Sequence, residues 1–168
     1  MSNLKKNFSK IYEEYIDRIY RFIYLKVDSE ETAKDICAQT FLKAWEFYRQ
    51  NPNIESFSGF LYKIARNTII DYYRKDKKIN IVSPEEVKPS LLSQDSGIEQ
   101  KAILNSDLER IKKAISFLKE DYQNVIIWHY LDEMEISEIS KIMQKSEQSV
   151  RVLLHRALKS LREKLEEI

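Results

Sequence analysis

Apolar side chains recur at three- and four-residue steps from Phe8 onward. Phe8, Ile11, Tyr12, Tyr15, Ile16, Ile19, Phe22 and Ile23 fall on one side, and Lys10, Glu13, Glu14, Asp17, Arg18 and Arg21 on the other. That period predicts a long amphipathic helix. Asp28 and Glu31 then stand at capping-box spacing, with Asp in place of the usual Ser or Thr. Behind them Ala33, Ile36, Cys37, Thr40, Phe41, Ala44, Trp45 and Tyr48 draw a second stripe, which should end near Asn51-Pro52. A third helix is expected to begin near Ser56. It would turn Phe57, Phe60, Leu61, Ile64, Ala65, Thr68, Ile69 and Tyr72 inward and Lys63, Arg66, Asn67, Asp71, Arg74 and Lys75 outward. Three such stripes close one small core, marginally stable by itself at about 75 residues.

The period fails between Ile79 and Ile98, where two of the three prolines (Pro84, Pro89) sit among Ser83, Ser90, Ser93 and Ser96. This stretch reads as a linker. Extended, it would reach about 65 to 70 Å, or about two turns of duplex DNA at roughly 34 Å each. Helical pattern resumes with Ile103, Leu104, Leu108, Ile111, Ala114, Ile115 and Leu118, then Val125, Ile126, Tyr130 and Leu131. A short helix near Ile136 to Met143 precedes a long one, with Val150, Leu153, Leu154, Ala157, Leu158, Leu161 and Leu165 inward and Ser146 as its N-cap. No strand pattern and no repeat appears. The expected fold is all-α, with two small helical domains: 1–78, a linker at 79–98, and 99–168.

With only two glycines, Gly59 and Gly97, the chain cannot assemble a P-loop or a dinucleotide-binding turn. One cysteine, Cys37, and two histidines, His129 and His155, supply neither an intrachain disulfide nor a structural zinc site. A reducing, cytoplasmic compartment is therefore expected, with no cofactor and no metal. The charged N-terminus is unlike a signal peptide, and no apolar run is long enough to span a membrane.

The net charge of +1 conceals an uneven distribution. Residues 1–78 carry +4, 79–98 carry −2 and 99–168 carry −1. Within the last block, 119–138 holds −5 and 141–162 holds +5. A helix showing Arg151, Arg156, Lys159 and Arg162 to solvent after a short helix and a tight turn is how a helix-turn-helix meets a DNA groove; a solvated helical hairpin would look similar. Lys63, Arg66, Arg74, Lys75, Lys77 and Lys78, interleaved with Tyr62, Tyr72 and Tyr73, suit partly melted DNA, since cations screen phosphate and aromatic rings stack on unpaired bases. Such a tyrosine stripe equally serves a core.

Three segments together resemble the extracytoplasmic-function group of RNA polymerase sigma factors: AKDICAQTFLKAWEF (33–47), FLYKIARNTIIDYYRKDKK (60–78) and YLDEMEISEISKIMQKSEQSVRVLLHRALKSLREKL (130–165). The resemblance covers nearly the whole chain, in order and spacing. It implies a two-domain promoter-specificity subunit that is not an enzyme and takes no small-molecule substrate. Asp35, Gln39, Phe41, Lys43 and Trp45 would dock on the clamp of the polymerase's largest subunit, and the second domain on the flap of the second subunit. Lys63, Arg66, Asn67, Asp71, Arg74 and Lys75 would meet the −10 element, with Asn67 reading a flipped base through its amide. Gln148, Ser149, Arg151, Val152, His155, Arg156 and Lys159 would meet the −35 element. Arg reaches guanine or phosphate, Val152 a thymine methyl, and Gln148 and Ser149 phosphate; Lys159 adds charge alone. An anti-sigma partner, membrane-attached in many members, is expected to hold the factor silent.

Some positions depart from the family pattern. Gln144 and Lys145 fill a turn that often carries Gly, and Glu133 an earlier Gly site, so a residue with a Cβ must accept the turn geometry. Lys119 stands where Pro is usual, Glu135 where a Ser cap is usual, and the loop Asn51 to Glu55 lacks the aromatic that braces the flipped base in some members.

Two other classes compete with this reading. A stand-alone helix-turn-helix regulator would grip duplex DNA without polymerase, and leaves residues 1–78 without a role. An all-α enzyme or adaptor lacks any catalytic cluster, and His129, within IIWHYL, reads as a packed or interface histidine.

Overall fold

The computed structural model describes the backbone of residues 2–79 and 99–168, and the side chains of residues 3–75 and 106–168. Every element among the described residues is helical, so the chain is all-α. It divides into two compact units, Met1–Ser90 and Leu91–Ile168. Of the expected linker 79–98, only Ile79, the last residue of the third helix, is described.

In the first unit α1 (Ser2–Tyr24), α2 (Glu30–Gln50) and α3 (Phe57–Ile79) surround one core. The period that begins at Phe8 marks only the buried portion of α1. Residues 2–7 contain a single apolar side chain, the half-buried Leu4, and join the helix by propagation from the turn that follows. Ile19, Phe22 and Ile23 are fully buried, with Phe22 edge-on to Tyr62 at 5.2 Å. Tyr12, expected inward, is 43% exposed, though its ring meets Phe41 edge-on at 4.8 Å.

The start of α2 departs from the expected capping box. Ser29, one residue after Asp28, is the N-cap, and its hydroxyl accepts the Thr32 N–H at 3.1 Å. Asp28 is engaged elsewhere, because its carboxylate accepts the Tyr73 hydroxyl at 3.3 Å and so ties the turn to α3. Asn51 ends α2 as expected, its N–H reaching Phe47 O. The Ser56 hydroxyl accepts the Gly59 N–H at the start of α3. Contacts across α2 and α3 run in opposite directions, Tyr48 with Phe57, Phe47 with Phe60 and Lys43 with Thr68, so the two helices lie antiparallel.

The second unit comprises α4 (Glu99–Ser116), α5 (Glu120–Ile126) continued by a π-helical segment (Ile127–Leu131), α6 (Ile136–Met143) and α7 (Glu147–Glu167). Among the described side chains of α4, Lys112, Ala114 and Ile115 are buried, as is Leu118 just beyond it, whereas Leu108 is 56% and Ile111 39% exposed. The π-helical segment turns the apolar face. Ile127 and Trp128 are fully buried, while Tyr130 and Leu131, expected inward, lie on the surface. Widening the hydrogen-bond ring, with Asp132 N–H on Ile127 O, shifts every later side chain around the axis.

Candidate nucleic-acid interface

Two left-handed residues flank α6, the helix that leads into α7. Glu133 (φ 53°) reverses the chain so that the Met134 N–H reaches Trp128 O at 2.9 Å and Met134 is buried. The Met134 carbonyl in turn lies 3.1 Å from His129 Nδ1, a structural contact for that ring. Gln144 (φ 56°) ends α6, and the Lys145 N–H bonds Ser140 O while the Ser140 hydroxyl donates to Lys145 O. Ser146 then caps α7, its hydroxyl accepting the Ser149 N–H at 3.1 Å. Lys119 and Glu135 stand as N-caps of α5 and α6 with no side-chain cap bond.

Val150, Leu154 and Ala157 anchor α7 in the core. That anchoring fixes the opposite face: Gln148, Ser149, Arg151, Val152, His155, Arg156 and Lys159 are all exposed. At 3.6 residues per turn, Gln148, Val152, His155 and Lys159 form its central strip. Arg151 and Arg156 flank that strip on opposite sides, about 140° apart around the axis. Arg151 is held by Glu147 at 3.7 Å, and Lys145 by Asp121 at 3.4 Å, both as exposed pairs. A helix with Gln148, Val152, His155 and Lys159 along its centre and a guanidinium on either edge has the shape needed to lie in a groove between two phosphate backbones.

On α3, Leu61, Tyr62, Ala65, Thr68 and Ile69 point inward. Lys63, Asn67, Asp71, Arg74 and Lys75 are exposed and Arg66 is half-buried, so the six residues expected to meet DNA share one outward side. Tyr62 is fully buried and Tyr72 and Tyr73 are half-buried, with burial and the Asp28 carboxylate holding the Tyr73 phenol well above its ordinary value. Tyr62 is thus a core ring. The side chains of Lys77 and Lys78 lie outside the described residues.

The five α2 residues divide. Asp35, Gln39 and Lys43 are exposed, Trp45 is half-buried against Phe8 at 5.2 Å, and Phe41 is only 6% exposed. Phe41 therefore supports the helix from beneath. Two large exposed residues of α2 escaped the sequence reading: Leu42, 57% exposed between Gln39 and Glu46, and Phe47, 49% exposed against Phe60. The signal for Leu42 was present, since it falls off the stripe that Phe41 and Ala44 define. Among the described residues no helix is long and apolar enough to cross a membrane, and no group of three or more His, Cys, Asp or Glu is placed to hold a metal.

Residues 11–79 match the family model for Sigma-70 region 2 and residues 108–161 that for Sigma-70, region 4. The chain is 30% identical to RNA polymerase sigma factor SigV of Bacillus subtilis over 85% of this chain and 81% of that one. It is 29% identical to the ECF RNA polymerase sigma factor SigW of the same organism over 96% of this chain and 90% of that one. Among solved structures, the fold is similar to sigma factor RpoE of Bartonella quintana, crystallised with the anti-sigma factor NepR. The TM-score is 0.71 at 20% identity, over 96% of this chain and 98% of that one.

Proposed function

The chain belongs to the extracytoplasmic-function group of RNA polymerase sigma factors, which direct transcription initiation, and from that premise we propose how its surfaces divide the work. The first unit docks on the clamp of the polymerase's largest subunit through the outer strip of α2, with Asp35, Gln39 and the exposed Leu42 as contacts. Its α3 meets the melted −10 strand: Asn67 offers a donor and an acceptor to a flipped base, and Lys63, Arg66, Arg74 and Lys75 attract phosphate. The second unit sits on the flap of the second subunit and lays α7 into the −35 major groove. There Val152 and His155 face base edges, Arg151 and Arg156 reach guanine or phosphate from either side, and Gln148, Ser149 and Lys159 add backbone contacts. The factor works in the cytoplasm without catalytic chemistry of its own, and an anti-sigma partner covers its polymerase- or DNA-binding faces until released.

The observation that carries this reading is the outward face of α7, where Arg151, Val152, His155 and Arg156 are exposed while Val150, Leu154 and Ala157 are buried. Its test is to add the chain to core polymerase with a genomic fragment library and map transcript starts. Starts that share two spaced elements support the reading, and starts no different from those of core polymerase alone contradict it.

A further inference from the structure

The Lys43 ammonium is directed across the seam between α2 and α3, where it donates to Thr68 Oγ1 at 3.4 Å and lies 3.9 Å from Asp71 Oδ2. The Thr68 hydroxyl is oriented to accept it, because its own proton goes to Ile64 O at 2.7 Å. Between Phe57 and Lys75, Asp71 is the one acidic residue, against Lys63, Arg66, Arg74 and Lys75. It stands one helical turn after Asn67, on the α2 side of the face proposed to meet DNA.

From this geometry we infer that Lys43 is a positioning residue for the −10 surface, drawing Asp71 toward α2 and masking its charge, and is not a polymerase contact. Resting on the reading of α3 given above, the inference follows from where each charge lies. A bare carboxylate one helical turn from Asn67 repels the phosphates that Lys63, Arg66, Arg74 and Lys75 attract, a repulsion that salt screens over roughly 8 Å at physiological strength. Paired with the Lys43 cation, the Asp71 carboxylate adds no net negative charge to that edge. Both side chains are about half exposed, so the pair contributes little to folding. Its effect is therefore expected in DNA binding and not in stability.

The test compares Lys43→Met, Asp71→Asn and the double variant as holoenzyme, reading affinity for core polymerase and for a promoter at two salt concentrations. Asn67→Ala serves as a control. Lys43→Met should keep polymerase affinity within about twofold and lower promoter affinity about fivefold at low salt, less at high salt. Adding Asp71→Asn should restore promoter affinity to within about twofold of the unaltered chain, since the charge to be masked is gone. A fall in polymerase affinity on Lys43→Met, or a double variant as weak as Lys43→Met alone, would overturn the inference while leaving the reading of α3 in place. Unchanged promoter affinity in Asn67→Ala would instead remove that reading, and this inference with it.

Discussion

Glu133 and Gln144 hold the same left-handed backbone, at φ 53° and 56°, one on each side of α6. Each has a Cβ that crowds the neighbouring carbonyl in this conformation, which glycine would not. Replacing either by Gly relieves that crowding, partly offset by greater freedom of the unfolded chain. Glu133→Gly and Gln144→Gly should each stabilise the second unit by about 0.5–1 kcal/mol, read as a higher urea midpoint at unchanged slope. A lower midpoint would mean that the side chains make contacts outweighing the strain.

Ser29 caps α2 and Asp28 does not. Ser29→Ala should therefore lower the stability of the first unit by about 1 kcal/mol, measured by thermal unfolding. Asp28→Ala should leave the cap intact and lose the bond to Tyr73, and Tyr73→Phe should reproduce that loss. Additive losses from Asp28→Ala and Tyr73→Phe would show that the two side chains act independently.

Arg151 and Arg156 flank the outer strip of α7 and are exposed, whereas its anchors Val150, Leu154 and Ala157 are buried. Changing both to Ala should reduce promoter affinity by about two orders of magnitude, taking about 1–3 kcal/mol for each well-placed base contact. Affinity for core polymerase should stay nearly unchanged. Loss of both affinities together would indicate a misfolded second unit.

Burial pushes the Cys37 thiol up from 9.0 to about 11, and the Tyr73 phenol is raised in the same direction. The folded chain thus holds protons that the unfolded chain releases. Their contribution to stability is complete below the unfolded values and is lost as pH rises through the folded ones. Denaturant unfolding should show stability falling between pH 9 and about 11, with a shallower fall in Cys37→Ala. Thiol reagents should modify native Cys37 slowly at neutral pH, because it is buried.

The helices were legible in the sequence wherever their apolar residues repeat against a core. Ala33, Ile36, Cys37, Phe41, Ala44 and Tyr48 are buried as their spacing requires. What escaped depended on geometry that spacing does not encode. Asp28 and Ser29 are adjacent acceptors, and only the path of the chain decides which one meets the Thr32 N–H. The π-helical segment adds a residue to one turn, so a 3.6 period carried through it puts Tyr130 and Leu131 on the wrong side. Leu108 and Ile111 keep the helical period, yet both are exposed while Ala114 and Ile115, further along α4, are buried. Of the candidate site, the exposed face of α7 could be read directly, because its residues are those the buried stripe leaves over. The direction of the Lys43 ammonium toward α3 could not, since it depends on how two helices pack.

The central claim is that sequence discrimination depends on mounting both units on core polymerase, and fluorescence anisotropy tests it most directly. A labelled promoter duplex is titrated with the chain alone and then with the chain plus core polymerase. The account predicts weak, salt-sensitive and sequence-indifferent binding by the chain alone, and tight binding lost on scrambling the −35 element once polymerase is present. Tight, sequence-specific binding by the chain alone, unaltered by polymerase, would contradict it.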